Sequence, residues 1–135
     1  MILTIDVGNT NIKVAVFKQV NLIEKFVFQK NELKNNFKNI LIKYPNCTNA
    51  VLSSVGKLDK IEISWLKNHL NLLEISHNSA FPFKNLYGTP KTLGVDRMVL
   101  AAGSVLLYPN QNTLIIDSGT CVTYDFVTNK NEYLG

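Results

Sequence analysis

Three aspartates, each beside a glycine or a second charge, are the residues best suited to chemistry in this chain. They are Asp6 in Asp6-Val7-Gly8-Asn9-Thr10, Asp96 in Gly94-Val95-Asp96-Arg97, and Asp117 in Asp117-Ser118-Gly119-Thr120. The first and third share a plan: an apolar run, the Asp, one residue, a Gly, a hydroxyl, then an alternating run. A glycine there can take φ > 0 and turn the chain tightly, so that successive backbone N–H groups line an anion-sized concavity. Asn9 and Thr10 add side-chain hydrogen-bonding groups, and Lys13 adds a compensating positive charge. A carboxylate at the mouth cannot touch phosphate directly, but it can hold a cation, or the waters of one, that does. Taken alone, Leu3 to Phe17 reads equally well as an ordinary hairpin. The second copy, Leu114 to Phe126, favours a duplicated nucleotide-binding plan in which each hairpin grips one end of a polyphosphate.

Asp96 and Arg97 open an apolar helix and so lie where polar surface meets interior. On spacing alone the structural reading is narrowly better: Asp96 caps the helix and Arg97 pairs with some carboxylate. Two phosphate-type hairpins in the same chain favour the functional alternative. Asp96 would then be a general base toward a hydroxyl, while Arg97 binds a carboxylate or steadies charge on a moving phosphoryl group. Ser53 and Ser54, at a strand end, either face a ligand or cap the next helix. His69 and His77 have no partner at ligand spacing and receive no chemistry. Cys47 and Cys121 lack metal-ligand spacing and read as structural thiols in a reducing compartment.

The elements that must position these residues follow from periodicity. Strands from the first hairpin continue into Asn21 to Phe28, which makes a three-stranded antiparallel meander. Lys30 to Tyr44 carries Leu33, Phe37, Ile40 and Leu41 at helical spacing, and Pro45 stops it. Ala50 to Val55 reads as a strand, Lys57 to Leu70 as a helix around Ile61, Ile63, Trp65, Leu66 and Leu70, and Leu72 to Ser76 as a strand. Strand, helix, strand predicts parallel pairing through a right-handed crossover. Trp65 is expected in the core rather than as a stacking platform. Asn78 to Leu93 lacks a period; its aromatics Phe81, Phe83 and Tyr87 either wall a pocket or cover the core. Met98 to Leu107 is so uniformly apolar that a buried helix is expected.

Composition sets outer bounds. The 135 residues are 46% hydrophobic and 18% charged, ordinary for one good globular core. The net charge of +4 comes from lysines spread from Lys13 to Lys130, which argues against a nucleic-acid partner. No apolar run reaches the roughly 18 to 20 residues that span a bilayer, and no basic leader precedes the first strand, so the expected location is cytoplasmic with no membrane partner.

With these residues in hand, the chain resembles the type III pantothenate kinases of the sugar kinase, actin and heat-shock chaperone superfamily. The resemblance rests on three motifs in order: Asp6 to Lys13, Tyr87 to Arg97, and Ile116 to Asp125. The middle one, with its Gly-x-Asp-Arg, is the most specific. It implies an α/β fold: a ribonuclease-H-like (actin-like ATPase) domain over 1–110, with a mixed sheet and an N-terminal antiparallel meander. The first hairpin of a second similar domain would follow over 111–135. It implies ATP-dependent phosphorylation of pantothenate to 4′-phosphopantothenate, the first step toward coenzyme A, by a homodimer. Carried over by motif, Asp6, Val7, Gly8, Asn9, Thr10, Asn11, Ile12 and Lys13 hold ATP phosphates, with Asp6 meeting Mg2+ through ATP, and Thr120 contacts ATP. Asp117 matches the position for a monovalent cation, K+ or NH4+. Asp96 matches the catalytic base, and Tyr87, Gly94, Val95, Asp96 and Arg97 match pantothenate-binding positions. The family continues well beyond its second hairpin, whereas this chain reaches Gly135. The expectation is an incomplete second domain, without a later substrate-contacting threonine, which weighs against activity of this chain alone. The rival expectations are another small-molecule kinase of the superfamily and a non-catalytic transcriptional accessory protein.

Overall fold

In the computed structural model, which describes residues 1–56, 58–119 and 121–135, the alternation at the N-terminus becomes an antiparallel meander. It comprises β1 (Ile2–Val7), β2 (Asn11–Lys18) and β3 (Asn21–Gln29). Leu3, Ile5 and Val7 pair across from Val16, Val14 and Ile12, and all six are buried on one face. β4 (Asn49–Ser54) adds parallel to β1, and β5 (Asn71–Glu74) parallel to β4, so the sheet order is β3-β2-β1-β4-β5. The expected crossover pairing is therefore present. α1 (Leu33–Lys43) supplies Leu33, Phe37 and Ile40 to the core beneath this sheet, and α2 (Lys60–His69) supplies Leu66. Each fully buried aliphatic or aromatic side chain of that cluster contributes about 1.5–3 kcal/mol relative to exposure.

α2 starts where its cap allows. Asp59 accepts the Glu62 N–H at 2.6 Å, and the Glu62 carboxylate accepts the Asp59 N–H at 2.9 Å, so two orphan donors are satisfied reciprocally. Asp59→Ala is expected to cost about 1 kcal/mol of stability, read from urea denaturation; an unshifted midpoint would remove the cap from the account. The expected start at Lys57 falls partly outside the described residues. Ile61 is 68% exposed, contrary to its expected core role, because the face packed on the sheet runs through Leu66 and Leu70. Trp65 is half-buried at the edge of this core, and its ring stacks on His69 with centroids 4.0 Å apart.

The chain divides into two compact units, Met1–Ile75 and Ser76–Gly135. In the second, β6 (Lys84–Asn85), β7 (Thr113–Ser118), β8 (Val122–Val127) and β9 (Glu132–Tyr133) form a sheet in the order β6-β9-β8-β7. β6 runs parallel to β9, and the other pairs are antiparallel. The second hairpin is thus not left with two strands, as the sequence suggested: β9 and β6 extend it and α3 (Val95–Leu107) packs on it. Neither short strand shows a period that sequence could reveal. Phe83 and Tyr87 lie against the fully buried Tyr133, at centroid distances of 5.6 and 6.1 Å, so these aromatics join the core.

α3 corrects another expectation. Val95, Met98, Ala101, Ser104 and Val105 are buried, but Leu106 and Leu107 are 73% and 74% exposed. Uniform apolarity does not bury a helix on all sides; one packing partner covers one stripe. Both units are α/β with mixed sheets. Among the described residues, no helix is long and apolar enough to cross a membrane.

Candidate functional site

In the first unit the site candidates gather where β1 and β4 end. The Gly8 N–H donates to the Asn11 carbonyl at 3.0 Å and closes the turn. The Val7 carbonyl accepts from the N–H groups of Val55 and Gly56 at 3.2 and 2.9 Å, which fastens the loop after β4 to that turn. The Ser54 hydroxyl donates to the Gly56 carbonyl and tightens the loop. Gly8 does not adopt the positive φ expected of it. Its smallness has another cause: a Cβ would lie 3.3 Å from the Asn11 carbonyl oxygen. Gly56, which no sequence pattern singled out, is more constrained, because its Cβ would overlap the Gly8 carbonyl oxygen.

Asp6 faces Lys13 across the hairpin, with Oδ2 to Nζ at 4.0 Å, and both side chains are substantially exposed. Such a pair adds little stability, about 0–1 kcal/mol, so its charges can serve a ligand at small cost to the fold. On the other side Asp6 is in register with Ser53, whose hydroxyl is buried and has no hydrogen-bond partner among the described residues. Asn9, Thr10 and Lys13 are exposed. Val7 and Ile12 are fully buried, so only their backbone atoms can meet a ligand.

In the second unit Asp117 is the penultimate residue of β7, on an exposed position. Here the two hairpins differ. Asp6 pairs with Lys13 seven residues on, whereas Asp117 pairs with Thr123 six residues on, so the second turn is one residue shorter. Asp117 therefore faces a hydroxyl in place of a cation. That Thr123 hydroxyl is also buried and has no hydrogen-bond partner among the described residues. The Gly119 N–H donates to the Cys121 carbonyl at 3.0 Å. Thr120 lies outside the described residues.

Asp96 and Arg97 occupy the first turn of α3 after Gly94. Asp96 does not cap the helix: it lies inside the first turn, and its Oδ1 accepts the Arg97 N–H at 2.9 Å. Arg97 has found a carboxylate. Its Nε donates to both oxygens of Asp125 at 2.9 and 3.2 Å, and its Nη2 donates to Oδ1 at 2.6 Å. The Tyr133 hydroxyl donates to the same oxygen, and the Tyr87 ring lies 5.4 Å from the guanidinium carbon. Hydrogen bonding to Asp125 holds the Arg97 pKa even higher than usual. Burial first, and Asp125 second, push the Tyr133 phenol well above the ordinary tyrosine range. Asp125 and Tyr133 escaped sequence reasoning. The available signal was a carboxylate at an inward position of an alternating strand, which demands a buried partner.

The structure thus brings Tyr87, Arg97 and the helix start together in one unit, and Asp6, Gly8 and Lys13 together in the other. Among the described residues, no three His, Cys, Asp or Glu side chains cluster to hold a metal. A single carboxylate beside an unpaired hydroxyl, as at Asp6 with Ser53 and at Asp117 with Thr123, is a hard oxygen donor set. It suits a cation completed by substrate oxygens and water.

Comparison with known proteins is specific. The sequence profile described as type III pantothenate kinase matches residues 2–135. The chain is 53% identical over its whole length to a type III pantothenate kinase of Flavobacterium johnsoniae, covering 55% of that protein. It is 49% identical to the protein of the same name from Flavobacterium psychrophilum, covering 56% of it. The chain therefore spans about half the length of the curated relatives it matches. A crystal structure from Campylobacter jejuni, of a protein assigned to the Baf family of transcriptional activators, superposes with a TM-score of 0.53 over 98% of this chain and 51% of that one. At 19% identity that likeness is one of fold.

Proposed function

Because the chain belongs to the type III pantothenate kinase family, we propose that it serves the ATP-dependent phosphorylation of pantothenate to 4′-phosphopantothenate. The observation that carries this reading is the first turn of α3, where the half-buried carboxylate of Asp96 accepts the Arg97 backbone N–H and the Arg97 guanidinium is bound by Asp125.

Phosphoryl transfer needs positioning and charge neutralisation above all. Asp96 accepts the proton of the substrate's primary hydroxyl as the oxygen bonds to the γ-phosphorus; the bond from that phosphorus to the β-phosphate bridging oxygen breaks, and ADP leaves. Arg97, with Tyr87, Gly94 and Val95, holds pantothenate. The Gly8 to Asn11 turn offers backbone N–H groups, Asn9 and Thr10 offer side-chain donors, and Lys13 offers charge to the ATP phosphates, with Thr120 meeting ATP from the second hairpin. Asp6 would hold Mg2+ through ATP, and Asp117 with Thr123 would hold K+ or NH4+; such cations supply neutralisation of phosphate charge. This assignment belongs with a ribonuclease-H-like, actin-like fold and a cytoplasmic homodimer. Residues 1–110 would be the N-terminal actin-like domain and 111–135 the start of a second one, a boundary of repeated motifs and not of the compact units.

A coupled assay of ADP release by the full-length protein tests the proposal. Turnover is expected only with ATP and pantothenate together, and it should fall when potassium and ammonium are withheld. ADP release that ignores pantothenate, or that is equal with a sugar, would replace the substrate assignment.

A further inference from the structure

The buried carboxylate of Asp125 is unexplained by the roles assigned so far. It is fully buried in the middle of β8, opposite Ile115, with Arg97 only 22% exposed above it. An apolar residue in such a place commonly gives equal or better stability than an ion pair, because desolvating two charges costs several kcal/mol. Retaining the pair therefore points to what it does to Arg97. The guanidinium has five N–H donors in a rigid fork. Asp125 engages the Nε and Nη2 edge, the Tyr133 hydroxyl holds Asp125 in turn, and the Tyr87 ring covers the guanidinium from one side. Rotation in the plane and tilt out of it are both restrained. A long side chain that would otherwise sample many rotamers is held in one.

We propose that Asp125 is a positioning residue, which with Tyr133 fixes the Arg97 guanidinium by one edge so that its other donors meet an anionic oxygen of the substrate. This rests on the pantothenate kinase reading above. The cluster also ties the first turn of α3 to the sheet, and Asp96 is the residue before Arg97, accepting its N–H.

Arg97 is the only arginine among residues 1–135; in the 15N-labelled full-length protein its guanidinium Nε–H resonance, assigned as the one lost in Arg97→Lys, reports the clamp directly. In the full-length protein, Asp125→Asn should displace that resonance and speed its solvent exchange. It should also raise KM for pantothenate by about tenfold or more through lost orientation, with kcat and KM for ATP little changed. Asp125→Glu should recover part of the affinity. Tyr133→Phe keeps the ion pair and should give a smaller change in the same direction, which decides the matter if Asp125→Asn fails to fold. A displaced resonance with parental KM, or a uniform fall of all kinetic constants in step with the melting temperature, would overturn the positioning role. A parent protein with an intact Arg97 signal but no turnover of pantothenate would instead overturn the substrate reading, and this inference with it.

Discussion

Asp96→Asn is expected to lower pantothenate turnover by about a hundred- to ten-thousand-fold, the range associated with losing a general base. The amide is nearly isosteric, and its carbonyl oxygen can still accept the Arg97 N–H that Asp96 accepts at 2.9 Å. Since Asp96 is not a helix cap, little stability rides on its charge beyond a few tenths of a kcal/mol from the helix dipole. The prediction is thus a selective one: kcat collapses while ATP binding, measured by calorimetry, stays near the parental value. Turnover within a few-fold of the parent would strip Asp96 of the role and leave it as an ordinary first-turn acid.

Gly56→Ala should destabilise the first unit by about 1–3 kcal/mol, as overpacking against backbone does. The added Cβ would overlap the Gly8 carbonyl oxygen and lie 2.8 Å from its carbon. Lys30 Nζ, also 2.8 Å away, can swing aside, but the Gly8 peptide cannot. Relief requires moving either the loop after β4 or the Gly8 turn, and the bonds from Val55 and Gly56 to the Val7 carbonyl are lost on the way. ATP binding should weaken with the distorted turn. Gly119→Ala is the control: among the described residues, its chain neighbours aside, nothing lies within 4 Å of its Cβ position, and its stability should change by no more than about 0.5 kcal/mol. Denaturant midpoints of the two variants, taken with nucleotide titrations, check both statements; equal midpoints would refute the close approach of Gly56 to Gly8.

The meander was legible because its evidence is local. Ile12, Val14 and Val16 announce their common face by period two alone, and Leu33, Phe37 and Ile40 announce theirs by helical spacing. β6 and β9 were not legible: each is two residues long, β6 finds its hydrogen-bond partners only in β9 across a long loop, and β9 is held between β6 and β8. α3 was half legible, since composition reports how apolar a helix is but not how many sides of it are covered.

By itself the sequence determined the family, through three ordered motifs, and it singled out Asp6, Asp96, Asp117 and Arg97 as the candidate groups for the proposed chemistry. Only the tertiary structure decided what those groups touch. It set Thr123 opposite Asp117 through a turn one residue shorter than the first, brought Gly56 against Gly8, and clamped Arg97 onto Asp125. Motif and period are written in neighbouring residues, whereas register, close approach and burial of a charge depend on segments far apart in the chain.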